Sequence, residues 1–253
     1  MQRRFTTIEV LGLPVTKLTP PQALAEIERI YEHEAPAVMA YANAHTLNLA
    51  VSDPAYRQVL SRAAIVLNDG AGIALAARIN GERFPANLNG SDFNPEILGL
   101  AARKSWPVFF LGAGPGVAER AAAAMRERYP ALQVAGCRDG YWAPTETPQV
   151  IETIRASGAT VVMTAMGNPL QEMWLAEYLT ATGARLGVGV GAFFDFAAGE
   201  VARAPAWMNR WGVEWIFRLA QEPQRLWRRY VVGNPVFLGR VLKARLTRRG
   251  RSS

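Results

Sequence analysis

Asp69 stands in the stretch "VLNDGAG", after an apolar run and before Gly70 and Gly72. A carboxylate at such a strand exit sits at a pocket mouth, where partial burial lifts its affinity for a proton toward that of a general base. The same position also suits an N-cap for the helix that "AGIALAARI" predicts, and both readings stand on spacing alone. In "MGNPLQEMW", Asn168 and Gln171 offer amides with donors and acceptors, as sugar hydroxyls require; they equally suit a capped turn. "GAGPG" places Gly112, Gly114 and Gly116 between an apolar run and a helical one. Glycines there let backbone approach a phosphate at a helix N-terminus. The spacing is GxGxG, not GxGxxG, and no acid cleanly ends the next strand. This favours a tight turn serving another phosphate or diphosphate over a dinucleotide site. The two histidines, His33 and His45, are not spaced as ligands, and no Cys/His cluster or Asp-x-Asp occurs. No metal site is expected, and arginines or helix termini would meet a diphosphate instead.

Those arginines lie in "EWIFRLAQEPQRLWRRY", with Arg218, Arg225, Arg228 and Arg229 among few acids. Guanidinium forks match phosphate oxygens, and tryptophan with arginine suits a bilayer interface. From Arg203 to Arg251 there are 12 Lys and Arg against 2 Asp and Glu, a net of +10, while the whole chain carries only +7. The remainder is mildly acidic, so one end of the molecule meets an anionic partner. An acidic body disfavours nucleic acid and favours a membrane with a phosphate-bearing ligand. Trp207, Trp211 and Trp215 recur at four-residue steps, a face that could dock the tail on the body. A single cysteine, Cys137, excludes an intrachain disulfide and fits a reducing compartment. No leader pattern and no run of about 18 apolar residues is read, so the expectation is a cytoplasmic protein with peripheral membrane contact.

Strands alternating with helices must position these groups. "TPPQALAEIERIYEHE" predicts a helix capped by Thr19, and "DPAYRQVLSRA" one capped by Asp53. "APAVMAYANA", "AAIVLNDG", "PVFFLGAGPG", "LQVAGCRDGYW", "ATVVMTAMGNP" and "ARLGVGVGAFFDF" read as strands with their exits. The class is α/β: a Rossmann-like, mostly parallel sheet with helices on both faces, and ligands at the strands' carboxyl ends. Asn43, Asp69, Gly112, Asn168 and Gly191 all fall at such ends. Residues 1–199 form this body, and 200–253 read as a basic helical appendage broken near Pro223 and Pro235. Truncation after Gly199 is expected to leave a folded body.

Several stretches together resemble the WecG/TagA/CpsF glycosyltransferases, glycosyltransferase family 26. They are "NAHTLNLA", "VLNDGAGIALAARINGERFP", "GSDF", "FFLGAGPGVAERAA", "GCRDGYW", "AMGNPLQEMW", "GVGVGAFFDFAAGEVARAPAWM" and "GVEWIFRLAQEPQRLWRRY", in family order from about residue 40 to 230. The resemblance implies an inverting, metal-independent transferase without a cofactor. It would move a sugar from a UDP-sugar to a polyprenyl-diphosphate-linked acceptor at the inner face of the cytoplasmic membrane, in cell-surface polysaccharide assembly; it allows an oligomer. It makes Asp69 the catalytic base and assigns substrate binding to Asn43, Gly112, Asn168, Gln171 and Asp195. Arg218, Arg225 and Arg228 would reach the diphosphate as a lid. Two positions depart from the family pattern: Tyr41 replaces a common Thr, and Asn87 replaces an Arg in "NLNGSD". Both lie near the implied sugar site and bear on whether the donor carries N-acetylmannosamine, its uronate or glucose. A nucleotide-cofactor oxidoreductase and a non-catalytic membrane adaptor are the rival functions.

Overall fold

A computed structural model describes residues 5–33, 35–205, 207–208, 211 and 213–249, with side chains described to 247. A two-stranded antiparallel hairpin, β1 (Thr7–Val10) and β2 (Leu13–Thr16), opens the chain. It was not anticipated, although "TIEVLGLPVT" alternates about a Leu11–Gly12 turn. A six-stranded parallel sheet follows, in the order β4-β3-β8-β7-β5-β6. Its strands are β3 (Ala37–Ala42), β4 (Ile65–Asn68), β5 (Val108–Gly112), β6 (Val134–Arg138), β7 (Val161–Ala165) and β8 (Leu186–Gly189). The α/β expectation holds, with C-terminal helices added.

Every residue of β4, β5, β7 and β8 is buried, as a parallel sheet covered on both faces demands. Side chains alternate between faces. Met39, Tyr41, Phe110 and Met163 face one core with α1 (Pro20–Glu32), α5 (Gly90–Arg103) and α6 (Val117–Arg128). Ala40, Ala42 and Val66 face a second core with the hairpin, α2 (Ala44–Ser52), α3 (Pro54–Arg62) and α4 (Ala71–Ile79). Phe109 and Val162 face a third, with α7 (Thr147–Ala156) and α8 (Leu170–Thr182). The caps form as the sequence asks. Gln22 Oε1 accepts the Thr19 N–H at 3.0 Å, and Asp53 Oδ1 accepts the N–H groups of Ala55 and Tyr56 at 2.9 and 3.1 Å.

After α9 (Phe193–Ala197) the described tail runs through α10 (Glu214–Gln221), α11 (Pro223–Trp227), a π turn (Arg228–Val232) and α12 (Gly233–Arg249). Pro223 starts a helix, and Pro235 lies in the first turn of α12 rather than breaking it. Pro235 has no N–H to give the preceding turn, which widens into the π turn that carries Arg228 and Arg229. Part of the first tail helix, read over "APAWMNRWGVEWIFRLAQEP" (204–223), lies outside the described residues. Trp207 and Trp211 are 59% and 78% exposed, so they do not dock the tail. Trp215 packs on Tyr230 instead, with ring centroids 5.9 Å apart. Docking falls to α12. Phe237 and Val241 are buried in the second core, and Arg240 Nη1 donates to the Asn48 carbonyl and Oδ1, both at 2.9 Å.

Candidate functional site

Strands β3 and β4 pair in parallel with Ala42 opposite Asn68, so the next residues, Asn43 and Asp69, emerge side by side. Asn43 N-caps α2: its Oδ1 accepts from the Thr46 N–H at 3.0 Å and from Thr46 Oγ1 at 3.1 Å. That bond fixes the amide, and its Nδ2 donates to Asp69 Oδ2 at 3.1 Å. Asp69 does not cap α4, whose N-cap is Gly70, so the capping alternative falls. Burial pushes the Asp69 carboxyl above its ordinary range. The Asn43 hydrogen bond, the charges of Arg229 and Arg218 and the Gly90 N–H oppose this without cancelling it. A half-buried carboxylate poised in this way can take a proton from a hydroxyl. Asn87 serves the turn beneath it: its Oδ1 accepts the Gly70 N–H at 2.9 Å. Asn68 Nδ2 ties the same loop down through the Ala86 carbonyl at 2.8 Å.

Tyr41 points into the first core. Its hydroxyl donates to Asn94 Oδ1 at 2.7 Å, and burial and the Asp69 charge hold it protonated. Asn94 Nδ2 is buried without a partner among the described residues. Gly112 is explained by the sheet itself. Its φ is 122°, and a Cβ there would lie 2.7 Å from the Ala165 backbone. Between β4 and β5 lie three strands, so Gly112 stands about 19 Å from Asp69 along the sheet edge, beyond hydrogen-bond reach.

The C-terminal helices bring cations to Asp69. Arg218 is 14% exposed, stacks over Phe196 at 4.6 Å and reaches Glu222 at 3.3 Å. Its Nε is buried and has no partner among the described residues, and the same holds for that of Arg229. Arg229 also acts on His45, which burial and that charge push down to about 4, leaving it neutral. Arg225 is exposed, pairs with Glu222 at 2.9 Å and acts on Asp195. Glu222 thus balances two arginines that the sequence left without acids. Asp195 is pushed up, by burial first, then restrained by Arg225. Arg228 lies exposed over the Trp227 ring at 5.5 Å, while its neighbour Arg229 turns inward. Glu214, not anticipated, is half-buried on α10, and burial and then the charges of Asp69 and Asp92 push it up. Among the described residues no three His, Cys, Asp or Glu side chains gather as a metal site.

Asn168 and Gln171 are brought together with a third residue, Glu172, which reads as a surface charge in the sequence. Glu172 is fully buried. Asn168 Nδ2 and Gln171 Nε2 both donate to its Oε1 at 2.7 Å, and the Tyr56 hydroxyl donates to Oε2 at 3.1 Å. Gln171 Oε1 accepts the Gly191 N–H at 3.0 Å, tying the β7–α8 loop to the exit of β8. Gly189 permits this approach, since a Cβ there would meet Gln171 Nε2 at 2.9 Å. Burial pushes Glu172 up to about 7 against the pull of these donors. The predicted pair therefore spends amide hydrogens on an internal carboxylate.

Comparison with known proteins adds identity to this geometry. The profile of the "Glycosyl transferase WecG/TagA/CpsF family" matches residues 8–251. A Bacillus subtilis (strain 168) protein named N-acetylglucosaminyldiphosphoundecaprenol N-acetyl-beta-D-mannosaminyltransferase is 32% identical over 207 residues, covering 82% of this chain and 79% of its own length. A protein of the same name from Bacillus spizizenii is 33% identical over 194 residues, covering 77% and 74%. The chain belongs to the WecG/TagA/CpsF family of glycosyl transferases.

Proposed function

We propose that this chain is an inverting transferase that moves a sugar from a UDP-sugar to a polyprenyl-diphosphate-linked saccharide in bacterial surface-polysaccharide assembly. The observation that carries the reading is Asp69, half-buried and held by Asn43, with the Nε–H groups of Arg218 and Arg229, unpartnered among the described residues, nearby. Asp69 takes the proton of the acceptor hydroxyl as that oxygen attacks the anomeric carbon from the face opposite the nucleotide. The bond to the diphosphate breaks, and negative charge develops on departing UDP. Arg218 and Arg229, with Arg225 at the rim, offset that charge where a metal would otherwise serve. Both Bacillus relatives are named as mannosaminyltransferases acting on N-acetylglucosaminyldiphosphoundecaprenol, which supports a lipid-diphosphate acceptor here. The donor is drawn from the sugars of N-acetylmannosamine, its uronate and glucose. Tyr41 and Asn87 shape that choice indirectly, Tyr41 through Asn94 and Asn87 through the Gly70 turn.

Residues 1–199 would supply the base and 200–253 the cationic cover and the membrane contact. No helix among the described residues is long and apolar enough to cross a membrane. Exposed Trp227, Val231, Val232, Leu242 and Leu246 lie among arginines on the C-terminal helices, which supports peripheral attachment to the inner leaflet. The test is a donor screen. UDP-sugars are offered with a short-chain polyprenyl-diphosphate N-acetylglucosamine, and UDP is detected. Release with one donor, dependent on the acceptor, is the expected result; no release with any donor would reject the reading.

A further inference from the structure

Pro95 has no N–H, so the Ser91 carbonyl one turn earlier in α5 lacks the donor that an α-helix would give it. Arg203 fills the gap. Its Nη2 donates to the Ser91 carbonyl and to Asp92 Oδ1, both at 2.6 Å. An exposed ion pair with Asp92 would by itself hold little. The carbonyl gives the same nitrogen a second, charge-assisted acceptor at a fixed point of the fold. Arg203 belongs to segment 198–203, which leads from α9 into the tail. The Asp195 carbonyl accepts the N–H groups of Glu200 and Val201 at 2.9 and 3.3 Å, and Glu200 pairs with Arg120 of α6. The Ala202 N–H donates to Gln221 Oε1 at 3.1 Å, and the Ala202 carbonyl accepts from Gln221 Nε2 at 3.2 Å. Gln221 ends α10, on which Arg218 stacks over Phe196 of α9 at 4.6 Å.

The receiving side of this contact is shared with the Asp69 turn. Asn87 Oδ1 accepts the Gly70 N–H at 2.9 Å, and Asn89 Oδ1 accepts the Asp92 N–H at 3.0 Å. One short segment, 87–92, therefore supports the turn that carries Asp69 and also receives Arg203. The base and the helix that bears Arg218 are both referred to that segment, which sets their mutual placement. We propose that Arg203 is a positioning residue for Arg218: latched on the first turn of α5, it holds α10 through Ala202 and Gln221 and keeps Arg218 over the Asp69 site. The proposal rests on the reading of Arg218 as a cation for the departing diphosphate. Arg203 reaches the chemistry only through α10, so its loss should loosen that helix and slow the step that Arg218 assists, without weakening the binding of the ground state.

Two measurements on the full chain test the latch. Hydrogen exchange read by mass spectrometry follows the amides of α10. Arg203→Ala and Gln221→Ala should each speed exchange across 214–221 by about tenfold and leave α2 and α8 at wild-type rates. The second measurement is a kinetic cycle. Arg203→Ala should lower kcat about tenfold, the worth of a hydrogen bond to a charged group, with KM for the donor nearly unchanged. In an Arg218→Ala background the same change should cost less than about twofold, because the group it positions is gone. Unchanged α10 exchange in Arg203→Ala would overturn the latch. A tenfold loss that persists in the Arg218→Ala background would overturn it in favour of Arg203 meeting substrate directly. Gln221→Ala alters no charge, so wild-type exchange in that variant would overturn the coupling through Ala202. Exchange needs no turnover. Failure to transfer any sugar would therefore sink the proposed function while the latch is still judged, and transfer with unchanged α10 exchange would do the reverse.

Discussion

Phe237→Ala separates what the C-terminal helix does for folding from what the arginines do for chemistry. Phe237 is 3% exposed and sits among Leu47, Ile73 and Ala76, with its ring edge 3.8 Å from where a Cβ on Gly72 would stand. Removing a buried phenylalanine side chain costs about 3–5 kcal/mol, the transfer loss plus the cavity left behind. Against a total stability of about 5–15 kcal/mol, that is a large fraction. For a chain of this size it lowers Tm by about 10 °C. Urea unfolding followed by far-UV circular dichroism at fixed pH measures it, and an unchanged m-value would assign the effect to the native state. A cost below about 1 kcal/mol would refute the docking of α12 on α2 and α4. The same packing reverses the expectation for truncation after Gly199. Without Phe237 and Val241, the faces of Leu47, Ala50 and Ala76 lie open, and the shortened body should aggregate rather than fold cleanly.

Arg229→Ala and Arg218→Ala should each lower turnover by about 10²-fold or more with stability nearly unchanged, since each removes a donor meant for the departing diphosphate; Arg228→Ala should change kcat/KM by less than about threefold, and equal losses at 228 and 229 would refute the assigned directions. Glu172 has its folded value raised from 4.5 to about 7, so its contribution to stability is full below pH 4.5 and is lost as pH rises to 7, about 3 kcal/mol in all. The stability difference between wild type and Glu172→Gln should therefore change by that amount between pH 4.5 and 8, as read from urea melts, and a flat difference would contradict the burial argument. Transfer should persist in EDTA; its loss, with rescue by Mn²⁺, would contradict the cationic role of the arginines.

Much of the body was legible because its signals are local. Thr19, Asp53 and the apolar runs of β3, β4, β5 and β7 each name an element, and alternation names the class. Helix α5 was harder to read, since Asn94, Pro95 and Gly99 interrupt its pattern; Pro95 cannot donate to the Ser91 carbonyl, which accepts from Arg203 Nη2 at 2.6 Å instead, and Gly99 leaves room for the Tyr129 ring, 2.9 Å from its would-be Cβ. Strand order is set by contacts between distant segments and left no local trace. The place of Asp69 at the exit of β4 was legible from its glycine-flanked turn. That Arg229 rather than Arg228 turns inward was not, because adjacent residues on a helix differ by about 100° and the direction depends on how the tail docks. Glu172 looks like any charged helix residue until Tyr56, 116 positions earlier, closes over it.

The most direct measurement is UDP release by Asp69→Asn beside wild type, with the preferred donor and a saturating lipid-diphosphate acceptor, together with UDP affinity by calorimetry. Asparagine keeps the size and the hydrogen bond from Asn43 but cannot hold the proton of the acceptor hydroxyl. The account predicts a fall in kcat of about 10²–10⁴-fold with UDP affinity nearly unchanged. A rate within a few-fold of wild type would contradict it and remove Asp69 from the chemistry.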